Sequence, residues 1–155
     1  MPARILAIDF GTKRLGLAVS DALGIAAQGL RTRERTRLEE DIDHIGKLRE
    51  EYSAERIVLG HPLGHRGNET EMSRRVAAFA EKLRRRLKCP VELWDERLTS
   101  VEANRMLRGS GISIEKRRKA ADRVSAVLLL QNYLDRLANE IARREGQQAN
   151  AGVDK

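Results

Sequence analysis

Residues 5–8, Ile-Leu-Ala-Ile, form an apolar run without polar alternation, and the run ends on an acid, Asp9. A strand of that pattern is buried on both faces, which places it at the centre of a sheet covered by helices. Gly11-Thr12-Lys13-Arg14 then has turn chemistry and residues 15–19 read as a second strand, so this stretch is a β-hairpin with a carboxylate at its tip. A carboxylate at the end of a buried central strand requires a partner or a metal ion.

The remaining chain supplies the rest of such a sheet. Residues 24–30 are apolar enough for a third strand, which extends the hairpin into an antiparallel meander and leaves 31–37 as a charged connection. Leu38, Ile42, Ile45 and Leu48 recur at helical spacing within 36–52, with Glu39, Glu40 and Asp41 in the first turns and basic residues later, as the helix dipole favours. Residues 56–60 and 91–94 are short apolar runs, each preceded by a helical segment (36–52 and 69–87), so both are expected to lie parallel to the first strand. A further helix is expected over 99–108, with Thr99 and Glu102 as a capping pair, followed by a basic connection over 112–119. The last helix reads as 120–144, and 145–155 as a polar tail without structure. The expectation is an α/β fold: one domain over 1–144 with a mixed five-stranded sheet, a three-strand antiparallel meander plus two parallel strands, flanked by helices.

In open α/β sheets, ligands gather at the C-terminal ends of the parallel strands. Here those ends are Asp9, the 61–68 loop and Asp95-Glu96. Strand alternation groups Asp95 with Val91 and Leu93, and Glu96 with Glu92 and Trp94; spacing does not choose which of the two points as Asp9 does. A third acid, Asp122, shares a stripe of the last helix with Ala126, Leu129 and Tyr133. It is a member of this carboxylate site, a first-turn charge favoured by the helix dipole, or an i, i+4 partner of Arg118. Three acids without a histidine or cysteine cluster suit Mg²⁺ or Mn²⁺ better than Zn²⁺. A metal pair of that kind activates water and stabilises the leaving oxygen of a phosphodiester.

Charge points the same way, since 30 Lys and Arg against 23 Asp and Glu give a formal net charge of +7 and favour a polyanionic partner. Candidate phosphate contacts are Lys13 and Arg14 at the hairpin tip, and Lys116, Arg117, Arg118 and Lys119 before the last helix. Five scattered aromatic residues make no base-stacking platform. The single Cys89 excludes an internal disulfide framework and reads as packing. No apolar run reaches the length of a membrane span and no leader pattern opens the sequence, so the expected setting is the cytoplasm.

Four segments in order, DFGTKRLGLAVSD, LGHPLGHRG, DERLTS and KAADRVSAVLLLQNYL, resemble the YqgF/RuvX family of RNase H-like proteins, described as Holliday junction resolvases and as nucleases for the 5′ end of pre-16S ribosomal RNA. The resemblance implies an RNase H-like sheet and a divalent-metal site on Asp9, Glu96 and Asp122, and it selects Glu96 over Asp95. It also implies that Gly11, Lys13 and Arg14 shape the first loop, and Gly60, Pro62 and Gly67 the second; Arg97 and Thr99 follow the same pattern, which makes Arg97 a further candidate phosphate contact. His61 and His65 depart from the family pattern and are given no catalytic role. The implied activity is metal-dependent cleavage of structured RNA, pre-16S rRNA above all, by a monomer or homodimer. Branched-DNA resolution is the alternative within the same chemistry. Two other classes are an actin-like phosphotransferase, for which this chain has only one of the two lobes needed, and a non-catalytic RNA-binding assembly factor.

Overall fold

The computed structural model describes residues 4–98 and 114–153. Five strands, β1 (Arg4–Phe10), β2 (Arg14–Ser20), β3 (Ala27–Glu34), β4 (Ala54–His61) and β5 (Val91–Asp95), form one sheet in the order β3-β2-β1-β4-β5. The apolar run of β1 holds the centre, antiparallel to β2 and parallel to β4, and β5 extends the parallel side. This is the mixed sheet expected from the sequence.

The pleat sorts β1 into two faces. Leu6 and Ile8 join Leu17, Val19, Ile57 and Leu59 in a core closed by α1 (Leu38–Glu51) and α2 (Glu71–Leu87). Ile5 and Ala7 join Ala18 and Val58 beneath the long C-terminal helix α3 (Ile114–Val153), whose Ala126, Leu129 and Tyr133 are buried on that face. Alanines on both sides, Ala7 and Ala18 below and Ala126 above, let the helix approach the sheet closely. Its position is fixed by Tyr133, which donates to Glu92 Oε2 at 2.6 Å and accepts from Arg56 Nη1 at 2.7 Å, with Trp94 edge-on to its ring.

The bounds of two elements, β3 and α3, differ from the sequence reading at both ends. β3 begins at Ala27, later than 24–30 implied, because Asp21 closes a turn over 21–26 by accepting from the Ile25 and Ala26 amides. The strand then continues through the charged residues Arg31–Glu34, since an edge strand tolerates exposed charge and is protected by it. α3 starts at Ile114, so the basic segment 116–119 lies within helical backbone. The helix also continues through 145–153, where a tail without structure was expected; Glu, Gln and Ala there favour helix, although residues 138–150 are all exposed. The helix read over 99–108, with its Thr99 and Glu102 cap, lies outside the described residues. A capping box does occur at the start of α2, where Thr70 and Ser73 exchange side-chain to backbone hydrogen bonds at 2.8 and 3.0 Å.

Candidate active site

Asp9 stands one residue before the end of β1, on the face covered by α3. Its registered neighbour on β2 is Gly16, and the pairing of Ile8 with Leu59 places Gly60 beside it on β4. Glycine on both flanks leaves Asp9 in a notch without side chains to either side. Gly60 is paired in turn with Trp94, and the chain leaves β5 two residues later in a short 3₁₀ turn beginning at Glu96. Glu96 reaches back across Gly60 and hydrogen-bonds to the Asp9 carboxyl. A Cβ at position 60 would collide with the Glu96 carboxylate and come within 2.7 Å of Leu129 Cδ1. The absence of a side chain at Gly60 is therefore what lets the two acids meet.

Two carboxyls in hydrogen-bond contact cannot both carry full charge. Burial, followed by the Asp9 charge, pushes Glu96 up to about 9. Desolvation also raises Asp9, offset in part by the hydrogen bond from Glu96. At neutral pH the pair thus shares a proton, and both residues remain partly open to solvent. This donor set fits a hard divalent cation, which supplies with two charges what the shared proton supplies with one. Among the described residues no group of three His, Cys, Asp or Glu surrounds such a site. The expected third ligand, Asp122, lies on α3 one turn before the buried Ala126 and seven residues before Leu129, in the direction of the edge that carries Asp9; its side chain lies outside the described residues.

Asp95 faces the other way, opposite His61, and is held below the ordinary carboxylate range mainly by its hydrogen bond from Arg97. Arg97 clasps it through Nε at 2.8 Å and Nη2 at 2.6 Å, and donates from Nη1 to the His65 carbonyl at 3.3 Å. That engagement ties the end of β5 to the 61–68 loop and leaves part of the Arg97 guanidinium exposed. Arg14 pairs with Glu34 at 3.4 Å, whereas Lys13 is exposed at the hairpin tip. The side chains of Lys116, Arg117, Arg118 and Lys119 lie outside the described residues. The sequence reading missed Gly16 as a neighbour of Asp9, although counting back from the turn would have found it. It also took Asp41 for an ordinary first-turn charge, while the structure buries it completely.

Residues 3–136 match the RuvX family, described as Holliday junction resolvase. Among curated proteins, the chain is 50% identical over 133 residues to one from Koribacter versatilis, covering 86% of this chain and 87% of the relative. The chain belongs to the RuvX family. A Heliobacterium modesticaldum relative is 38% identical over 147 residues, 95% of this chain and 99% of its own length, and both carry the name "Putative pre-16S rRNA nuclease". Solved structures extend the likeness to the fold. RuvC of T. thermophilus in complex with a Holliday junction matches with a TM-score of 0.57 at 17% identity, over 88% of this chain and 97% of that one. The Fowlpox virus resolvase bound to junction DNA matches at 0.54 and 10% identity, over 86% and 98%. The RuvX-family chain is by this kinship a nuclease with an RNase H-like fold, in a class typically dependent on metal. No helix among the described residues is long and apolar enough to cross a membrane.

Proposed function

We propose that this RuvX-family nuclease cleaves a phosphodiester near the 5′ end of pre-16S ribosomal RNA in the cytoplasm, using Mg²⁺ or Mn²⁺ held by Asp9, Glu96 and Asp122. The observation that carries the chemistry is the Asp9–Glu96 pair, two acids brought into contact at the end of the central strands where a cation can replace their proton. The substrate reading rests on the names of relatives that match over nearly their whole length. When bound, the metal supplies an activated water and stabilises the departing oxygen. Asp9 anchors the site from the rigid centre of the sheet, and Glu96 closes over it from the β5 end. Lys13 at the hairpin tip and the 116–119 segment at the start of α3 contact the backbone phosphates on either side. Arg14 and Arg97 are paired with Glu34 and Asp95, so they add hydrogen-bond donors for a phosphate rather than net positive charge.

The family description favours a second reading, resolution of branched DNA, with the same metal chemistry. That reaction needs two sites related by symmetry, hence a homodimer, whereas RNA trimming requires one. Cleavage of a labelled pre-16S leader and a mobile four-way junction, side by side in Mn²⁺, Mg²⁺ and EDTA, separates them. Metal-dependent cutting of RNA alone, abolished by Asp9→Asn, is the expected result. Paired symmetric nicks in the junction would establish the resolvase, and equal RNA binding by both proteins with no cutting would establish an assembly factor.

A further inference from the structure

Asp41 is a fully buried carboxylate on α1 with three donors: Arg33 Nε at 3.0 Å, Arg35 Nε at 3.4 Å and the Thr36 amide at 3.1 Å. A buried charge needs such partners to be tolerated, but their arrangement here also has a direction. Arg35 reaches past Asp41 to the hairpin turn, donating from Nη1 to the Gly11 carbonyl at 3.0 Å and the Thr12 carbonyl at 3.4 Å, while its backbone amide donates to the Lys13 carbonyl at 2.8 Å. Three successive carbonyls of the turn thus converge on one residue. The same guanidinium lies 4.4 Å from the centre of the Phe10 ring, which also packs on Phe79 with ring centres 4.7 Å apart. Phe10 directly follows Asp9 in β1 and points to the opposite face of the sheet.

From this geometry we propose that Arg35, oriented by Asp41, is a positioning residue for the metal site. It fixes the backbone on the far side of Asp9 and so sets where that carboxylate stands relative to Glu96. The inference rests on the metal-site reading of Asp9 and Glu96. Arg35 touches neither acid; it acts through the turn and through Phe10. Lysine cannot replace it, because an ammonium lacks the planar fork that stacks on Phe10 while bonding Asp41 and two carbonyls together. Arg33 provides an internal control, since it binds Asp41 and Thr36 without reaching the turn.

The test compares full-length wild type, Arg35→Lys and Arg33→Lys by Mn²⁺ titration calorimetry without RNA, with kcat and KM on the pre-16S leader and thermal stability alongside. Arg35→Lys is expected to weaken Mn²⁺ binding and lower kcat about tenfold, with KM for RNA unchanged, as for residues that orient metal ligands indirectly. Arg33→Lys is expected to lower the melting temperature and leave Mn²⁺ affinity at the wild-type value. Should Arg35→Lys not fold at the assay temperature, Asp41→Asn is read in its place, with a weaker effect of the same sign expected. Wild-type Mn²⁺ affinity in Arg35→Lys, or equal weakening in both arginine variants, would overturn the proposal. A wild-type protein that binds no Mn²⁺ would overturn the underlying metal-site reading, and the inference with it.

Discussion

In the proposed metal site, Glu96 is the residue at which function and stability oppose each other. Its carboxyl is held near 9, against an ordinary value of 4.5, so the folded metal-free protein retains a proton that the unfolded chain has released. The sign follows from linkage: the stability associated with this proton is fully present below about pH 4.5 and is lost as pH rises towards about 9. The metal-free wild type is therefore expected to melt at progressively lower temperature between pH 5 and pH 9. Glu96→Gln should flatten that dependence and melt above wild type at pH 8, because the amide keeps a donor for Asp9 and has nothing to ionise. Thermal denaturation in EDTA across that range checks it. Activity should be lost in the same variant, the usual exchange at sites that hold like charges together. At this scale Asp9 was legible in the sequence as an acid ending an apolar run, whereas the choice of Glu96 over Asp95 was not, because period-two alternation says which residues share a face without saying which face. The resemblance made that choice, and the structure shows Asp95 turned towards Arg97.

At the scale of elements, the two acids meet through β4. Gly60 belongs to a strand without a positive φ, so its role is clearance for the Glu96 carboxylate and Leu129. Gly60→Ala is expected to displace Glu96 or lift α3, destabilising by about 1–3 kcal/mol as overpacking does. Cleavage should fall more than tenfold even at a temperature where the variant is fully folded. Loss of stability with undiminished cleavage would show that Glu96 does not need this path to Asp9. Sheet order and strand direction were readable because apolar runs, turn residues and helical periods agreed along the chain. The start of β3 was not, since the Asp21 turn depends on hydrogen bonds to the Ile25 and Ala26 amides, and arginines that read as a solvated connection were in fact pairing along an edge. Asp41 escaped for a related reason: an acid in the first turn of a helix is expected on dipole grounds alone, and only tertiary structure reveals its two arginines.

For the whole molecule, the stability resides in the sheet, in α1 and α2 that close one of its faces, and in the part of α3 that covers the other. Tyr133 and Leu134 are buried, whereas residues 138–150 are exposed throughout, so this part of the helix adds little to the core. Removal of residues 145–155 is expected to leave the melting temperature and RNA cleavage unchanged, and a fall of several degrees would show a contact of that segment with the domain. At the other end of the sheet, a proton shared by Asp9 and Glu96 stands where the proposed site would hold a divalent cation. The most direct measurement of that exchange is Mn²⁺ binding by calorimetry between pH 6 and pH 8.5 in buffers of different ionisation enthalpy. Release of about one proton per Mn²⁺ bound is expected, with an affinity that rises roughly tenfold per pH unit. Binding that releases no proton and is indifferent to pH, or that persists unchanged in Glu96→Gln, would contradict it.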